Sequence, residues 1–222
     1  MTFLEICQKV REKVAVSGQG PSTVVAQTGS MLRVINCVVE AWREIQSSSD
    51  SWKFMQKSGT LSLVLGTQLY SLATLVAANP LYGEVMTDTL KFIDGNRLEF
   101  VDYDRWEADS IDIGTLTGKP TQWTQDADLA LLFYPIPDAA FSLRFRYSRA
   151  PQVLAANADI PVCPAAFHMA IVYRAAILYA ELDEAQELLR GFLPEYQTWM
   201  AKMEADQLPS VGFSPSRYRS VR

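Results

Sequence analysis

The side chains able to do chemistry are few and scattered. The single histidine, His168, follows Pro164 near the start of a predicted helix, and Cys163 is the thiol nearest to it in sequence. One imidazole and one thiol fall short of the four ligands that a structural zinc site takes. No nucleophile elbow accompanies the histidine, so a Ser-His-Asp arrangement has no local starting point. A structural or surface role for His168 is the reading the pattern favours. Two carboxylate pairs, Asp102-Tyr103-Asp104 and Asp126-Ala127-Asp128, have a spacing that could hold a divalent cation. On that reading the chain would be a metal-dependent hydrolase. The same pattern is common in solvated turns, which is the preferred reading here. Gly18 and Gly20 could shape a phosphate-cradling loop, but no Lys follows at P-loop spacing. Between Glu84 and Asp112 nine acids outnumber Lys91, Arg97 and Arg105, the composition of a solvated face.

The whole chain sets the frame for these groups. It has 222 residues, 49% hydrophobic and 20% charged, with a formal net charge of −5. That is a globular composition, long enough for one large domain or two small ones. The negative balance argues against broad nonspecific DNA binding through a basic surface. Cys7, Cys37 and Cys163 are odd in number and far apart, which excludes a disulfide framework and implies a reducing compartment. Cys7 and Cys37 lie among apolar helix residues, as small buried thiols do. The N-terminus is charged throughout and lacks the apolar core of a signal peptide. No membrane span is expected, since no apolar run reaches about 18 residues.

Helices are predicted at both ends. Thr2 to Val14 places Phe3, Ile6, Cys7, Val10 and Val14 on one stripe, and Thr2 with Glu5 forms a capping box. Ser30 to Ser47 does the same with Met31, Ile35, Val38, Trp42 and Ile45, widened by Leu32 and Val39. Ser30 is the expected N-cap, and Arg33, Asn36, Glu40, Arg43, Glu44 and Gln46 fall on the opposite side. Ala165 to Leu182 is a third helix. Asp183 is expected to cap a fourth running to about Asp206, with Leu188, Leu189, Phe192, Trp199 and Met203 inward and a kink or break at Gly191 and Pro194.

From Trp52 the period shortens to that of strands: 52–56, 60–65, 69–72, 89–94, 97–100, 120–125, 129–134 and 141–147. Asp94-Gly95-Asn96 is a hairpin turn signal. Residues 73–89 carry no clear period, and 103–113 reads as a short helix or turn. Pro135, Pro137 and Asp138 predict the turn between the last two strands. In the last strand Ser142, Arg144, Arg146 and Ser148 alternate with Phe141, Leu143, Phe145 and Tyr147, giving one charged face. The tail from Leu208 holds Arg217, Arg219 and Arg222 and no acid, and alone it cannot bury enough surface to fold. The order predicts an α+β chain: terminal helices forming a helical bundle (1–50 and 151–207), an inserted antiparallel β domain (51–150), and an extended C-terminal tail (208–222).

Several of these residues also carry a resemblance. Gly18, Gly20, Pro21, Ser22, Gln27, Thr28, Gly29, Arg33, Asn36, Val38, Ala41, Trp42, Ile45, Gln46, Trp52 and Phe54 stand in an order that resembles the head-to-tail adaptor (connector) family of tailed bacteriophages. The likeness continues through Leu98 to Arg105, Gly118, Pro120, Leu132, Pro135, Pro137, Tyr147, Arg149, Pro151, Leu154, Ile160, Pro161, Pro164 and His168. It implies a non-enzymatic virion protein without cofactor, metal site or catalytic residues. Twelve copies would form a ring between the portal and a tail or nozzle protein, continuing the channel through which genomic DNA passes without specific binding. Assembly would take place in the bacterial host cytoplasm, and no membrane is implied. The tail residues Phe213, Arg217, Tyr218, Arg219 and Arg222 are then expected to order on the portal or a neighbouring subunit. Glu99, Asp102, Asp104, Glu107 and Asp109 would face the channel or the tail, where negative charge repels phosphate. A tail terminator, another neck component, or an enzyme using Asp102 and Asp104 are the competing readings.

Overall fold

A computed structural model describes residues 1–113 and 116–209, with side chains at 109–113 left out. The predicted tail residues Phe213, Arg217, Tyr218, Arg219 and Arg222 lie outside the described residues. The chain separates into two compact units. One holds Met1–Ile45, Ser51–Lys53 and the chain from Ala155, and the other holds Gln46–Asp50 and Phe54–Leu154.

The first unit is helical. In α1 (Phe3–Lys13), Thr2 accepts from the Glu5 amide and the Glu5 carboxylate accepts from the Thr2 amide, the predicted capping box. Phe3, Ile6, Cys7 and Val10 are its buried stripe. In α2 (Gly29–Ser47), Ser30 lies inside the helix rather than at its cap. Val34, Ile35, Cys37, Val38, Ala41, Trp42 and Ile45 are buried, whereas Leu32 is exposed. Arg33 pairs with Asp183 (3.4 Å), and Arg174 forms a two-pronged pair with Glu44, its Nη2 reaching Oε1 at 3.1 Å. These contacts set α2 antiparallel to α5 (His168–Leu182). α5 is buried on most of its circumference, and both α1 and α6 (Gln186–Gln207) pack against it.

Two expectations for α6 are corrected. Asp183 is the C-cap of α5, and Ala185 precedes α6 with no side-chain cap. Gly191 and Pro194 do not break the helix, which runs through both. Pro194 is on the exposed side, where water can take the carbonyl its missing N–H leaves free. The inward set is also looser than predicted: Met200 and Met203 are buried, while Leu188, Leu189, Phe192 and Trp199 are half-buried.

The second unit is the β-rich one. A 3-10 turn at Lys53–Met55 stands where a strand was predicted, and β1 (Gln56–Leu63) begins after it. β1 pairs antiparallel with β10 (Phe141–Arg149) over its whole length, from Gln56↔Ser148 to Leu63↔Phe141. β3 (Tyr82–Val85) and β4 (Lys91–Phe92) pair with the other side of β10. The second sheet has the order β2 (Leu69–Tyr70), β8 (Leu131–Tyr134), β7 (Gln122–Gln125), β5 (Glu99–Phe100). A short pair joins β6 (Thr117–Gly118) to β9 (Ile136–Pro137), so the predicted proline turn is itself partly strand. Residues 73–89 resolve into α3 (Leu72–Ala78), β3 and a 3-10 turn, and α4 covers Tyr103–Ile113.

Most pairings are antiparallel, as expected for this domain, and two depart from that. β5–β7 and β6–β9 are parallel. The Asp94-Gly95-Asn96 turn forms, with Gly95 at φ 97° and Lys91 bridged to Arg97. The chain then leaves that hairpin: Leu98 still donates to Leu90, but Glu99 donates to Thr121 in the other sheet. Side chains of both sheets meet in one core that includes Trp123, Leu131, Phe133, Leu143, Phe145 and Tyr147.

Candidate functional site

The groups that could do chemistry are placed in structural roles. His168 is buried: its Nε2–H donates to the Cys163 carbonyl at 3.2 Å, and Nδ1 accepts from the Met1 amino group at 2.8 Å. Burial, with the ammonium beside it, pushes the imidazole pKa down. Cys7, Cys37 and Cys163 are free and buried, and desolvation raises their thiols to about 12, about 11 and about 12. Thiols so protonated are poor nucleophiles.

The carboxylate pairs bind backbone. Asp102 accepts from the Asp104 amide at 3.1 Å at the start of α4, an N-cap contact. Asp126 accepts from the amides of Asp128 (3.0 Å) and Ala130 (2.8 Å), closing the β7–β8 loop. Among the described residues, no three His, Cys, Asp or Glu side chains gather as a metal would require.

The acidic set Glu99, Asp102, Asp104 and Glu107 is exposed on β5 and α4. The Tyr103 hydroxyl donates to Glu107 at 3.2 Å, which raises the phenol's pKa. Gln122 reaches Glu99 at 3.4 Å. The backbone of Asp109 belongs to α4, and its side chain lies outside the described residues.

A second surface joins residues that sequence reading kept apart. The charged face of β10 was legible from its alternation. The register adds neighbours: Arg144 faces Thr60 on one side and Lys91 on the other, and Lys91 is bridged to Arg97. Arg144, Lys91, Arg97 and Arg146 line one cleft with Ser58, Asp88 and Thr89. The available signal was the hairpin turn, which brings Lys91 and Arg97 opposite each other. Nothing local said that β4 would pair with β10.

Fold and surfaces together define a two-unit α+β protein whose charged groups sit on exposed strands and helix ends. The chain belongs to the SU10 adaptor protein family, whose model matches residues 1–218. This is a phage head-to-tail adaptor family, so the protein is a structural phage component of the virion neck, in association with other neck components. No curated protein matches the chain.

Proposed function

We propose that copies of this chain form a dodecameric ring between the portal and the tail, continuing the DNA channel and transforming no substrate. The observation that carries this reading is the family match over residues 1–218. Exposed apolar side chains on three helices, Leu32, Leu182 and Leu193, support it, because ring neighbours would cover them. Phe213 and Tyr218 supply apolar anchors, and Arg217, Arg219 and Arg222 supply charge, for docking on the portal or the next subunit. Glu99, Asp102, Asp104, Glu107 and Asp109 face the channel or the tail, where they keep phosphate from sticking. Assembly takes place in the host cytoplasm.

The test is electron microscopy of purified portal mixed with the full chain or with a chain lacking residues 208–222. The full chain should add a ring on the tail-side face of the portal. The shortened chain should keep its circular dichroism spectrum and fail to add the ring. No ring with the full chain rejects the adaptor reading. A ring with the shortened chain rejects only the role of the tail.

A further inference from the structure

We propose that the cleft on the exposed face of the β1–β10 sheet binds the phosphate backbone of DNA through Arg144, Lys91, Arg97 and Arg146, without reading bases. The register carries this. Thr60↔Arg144, Arg144↔Lys91 and Lys91↔Arg97 are successive cross-strand partners, so three cations stand in one row across the sheet. Directly opposed like charges destabilise a sheet. Folding alone would favour an acid or a neutral residue at one of these positions. The ion pairs of the described residues do not involve any of the three, and Arg146 uses one guanidinium nitrogen on Gln56 at 2.6 Å. Asp88 is the single acid lining the cleft. The row is therefore positive in excess and set for an anion.

Its dimensions and chemistry select the anion. Strands lie about 4.8 Å apart, so the row spans about 10 Å. One strand of duplex DNA carries a charge about every 3.4 Å of helix axis, and because the strand winds around that axis its successive phosphates lie farther apart than this, so the row matches about two to three of them. The hydroxyl of Ser58 beside the cations is another kind of group that backbone contacts use. A protein partner would want an apolar anchor, yet the one apolar residue lining the cleft, Phe145, is buried. The same lack of exposed aromatic surface leaves nothing on which a base could stack. The cleft lies wholly within the β-rich unit, so it is present without the ring.

Fluorescence anisotropy of a labelled duplex of about 20 base pairs, at about 50 mM salt, tests it with the full chain. Binding is expected to weaken with salt at a logarithmic slope of about −3.6, and equally for two unrelated sequences. The triple variant Lys91→Gln, Arg97→Gln, Arg144→Gln should bind at least about tenfold more weakly, with a slope reduced to about −1, the share of the remaining Arg146. It should melt no lower than the parent, because the repulsion is relieved. Arg144→Lys, which keeps the charge, should still bind. An exposed cation elsewhere, Lys9→Gln, should leave binding unchanged. Absence of binding by the parent chain overturns the proposal, as does undiminished binding by the triple variant. Tighter binding of poly-glutamate than of DNA would assign the cleft to an acidic protein and overturn it equally.

Discussion

At the scale of single residues, two positions decide more than their chemistry suggests. His168 is held neutral between a carbonyl and an ammonium, with burial as the larger cause of its lowered pKa. In the unfolded chain its pKa returns to about 6.5. The unfolded state therefore takes up the proton first as pH falls, and stability drops from about pH 6.5 downward until the folded-state pKa is passed. Urea unfolding at about pH 7.5 and about pH 5.5 should show this loss, and His168→Gln should remove part of it. Identical pH dependence in the variant would exclude the histidine as its source. Gly59 is the second case. A Cβ there would lie 2.6 Å from Asn79 Oδ1 and 2.8 Å from the Phe145 ring. Asn79 is buried and spends both ends of its amide on the Thr60 backbone. Gly59→Ala must displace one of these groups and should cost about 1–3 kcal/mol, read as a lower denaturant midpoint at constant slope. An unchanged midpoint would show that the sheet yields there freely.

At the scale of elements, what was legible depended on whether the information was local. The α1 capping box and the apolar stripe of α2 follow from spacing within one helix, and both are present. The Asp94-Gly95-Asn96 turn is likewise local and forms. Local pattern failed where tertiary context outvoted it. Gln46 reads as polar and outward on the α2 wheel, yet it is buried, because its amide pairs with the Gln152 backbone at 3.0 and 2.7 Å. Pro194 reads as a breaker, yet an exposed helix face tolerates it. The parallel partners of β5 and β9 come from distant segments, which no alternation of side chains specifies. The candidate surfaces divide the same way. The acids of α4 and the arginines of β10 were visible as compositions. The row Arg144–Lys91–Arg97 exists only once β4 is paired with β10, and a non-local register is not written in either strand. His168 was legible as structural, but its contact with Met1 spans 167 positions of the chain.

At the scale of the whole molecule, the chain interrupts a helical unit with a β-rich one and then returns to the first. An insertion is tolerated when its ends lie close, since the host unit then pays little entropy to close around it. Gln46 and Gln152 meet this condition: two hydrogen bonds join positions 106 residues apart, near the first and last residues of the inserted unit. That unit also has its own apolar core, from Leu61 through Tyr147. A length of about 100 residues suffices for independent folding when such a core is present. Residues 46–154, with Trp52 of the helical unit replaced by Ser, should therefore fold alone, with dispersed amide resonances and one cooperative thermal transition. Adding Gln46→Ala to this fragment should lower its melting temperature, because both hydrogen bonds to the Gln152 backbone are lost, each worth about 1 kcal/mol. A broad, non-cooperative melt of the parent fragment would mean that the β-rich unit borrows its stability from the helices. A Gln46→Ala fragment as stable as its parent would mean that the closure of its ends is set elsewhere.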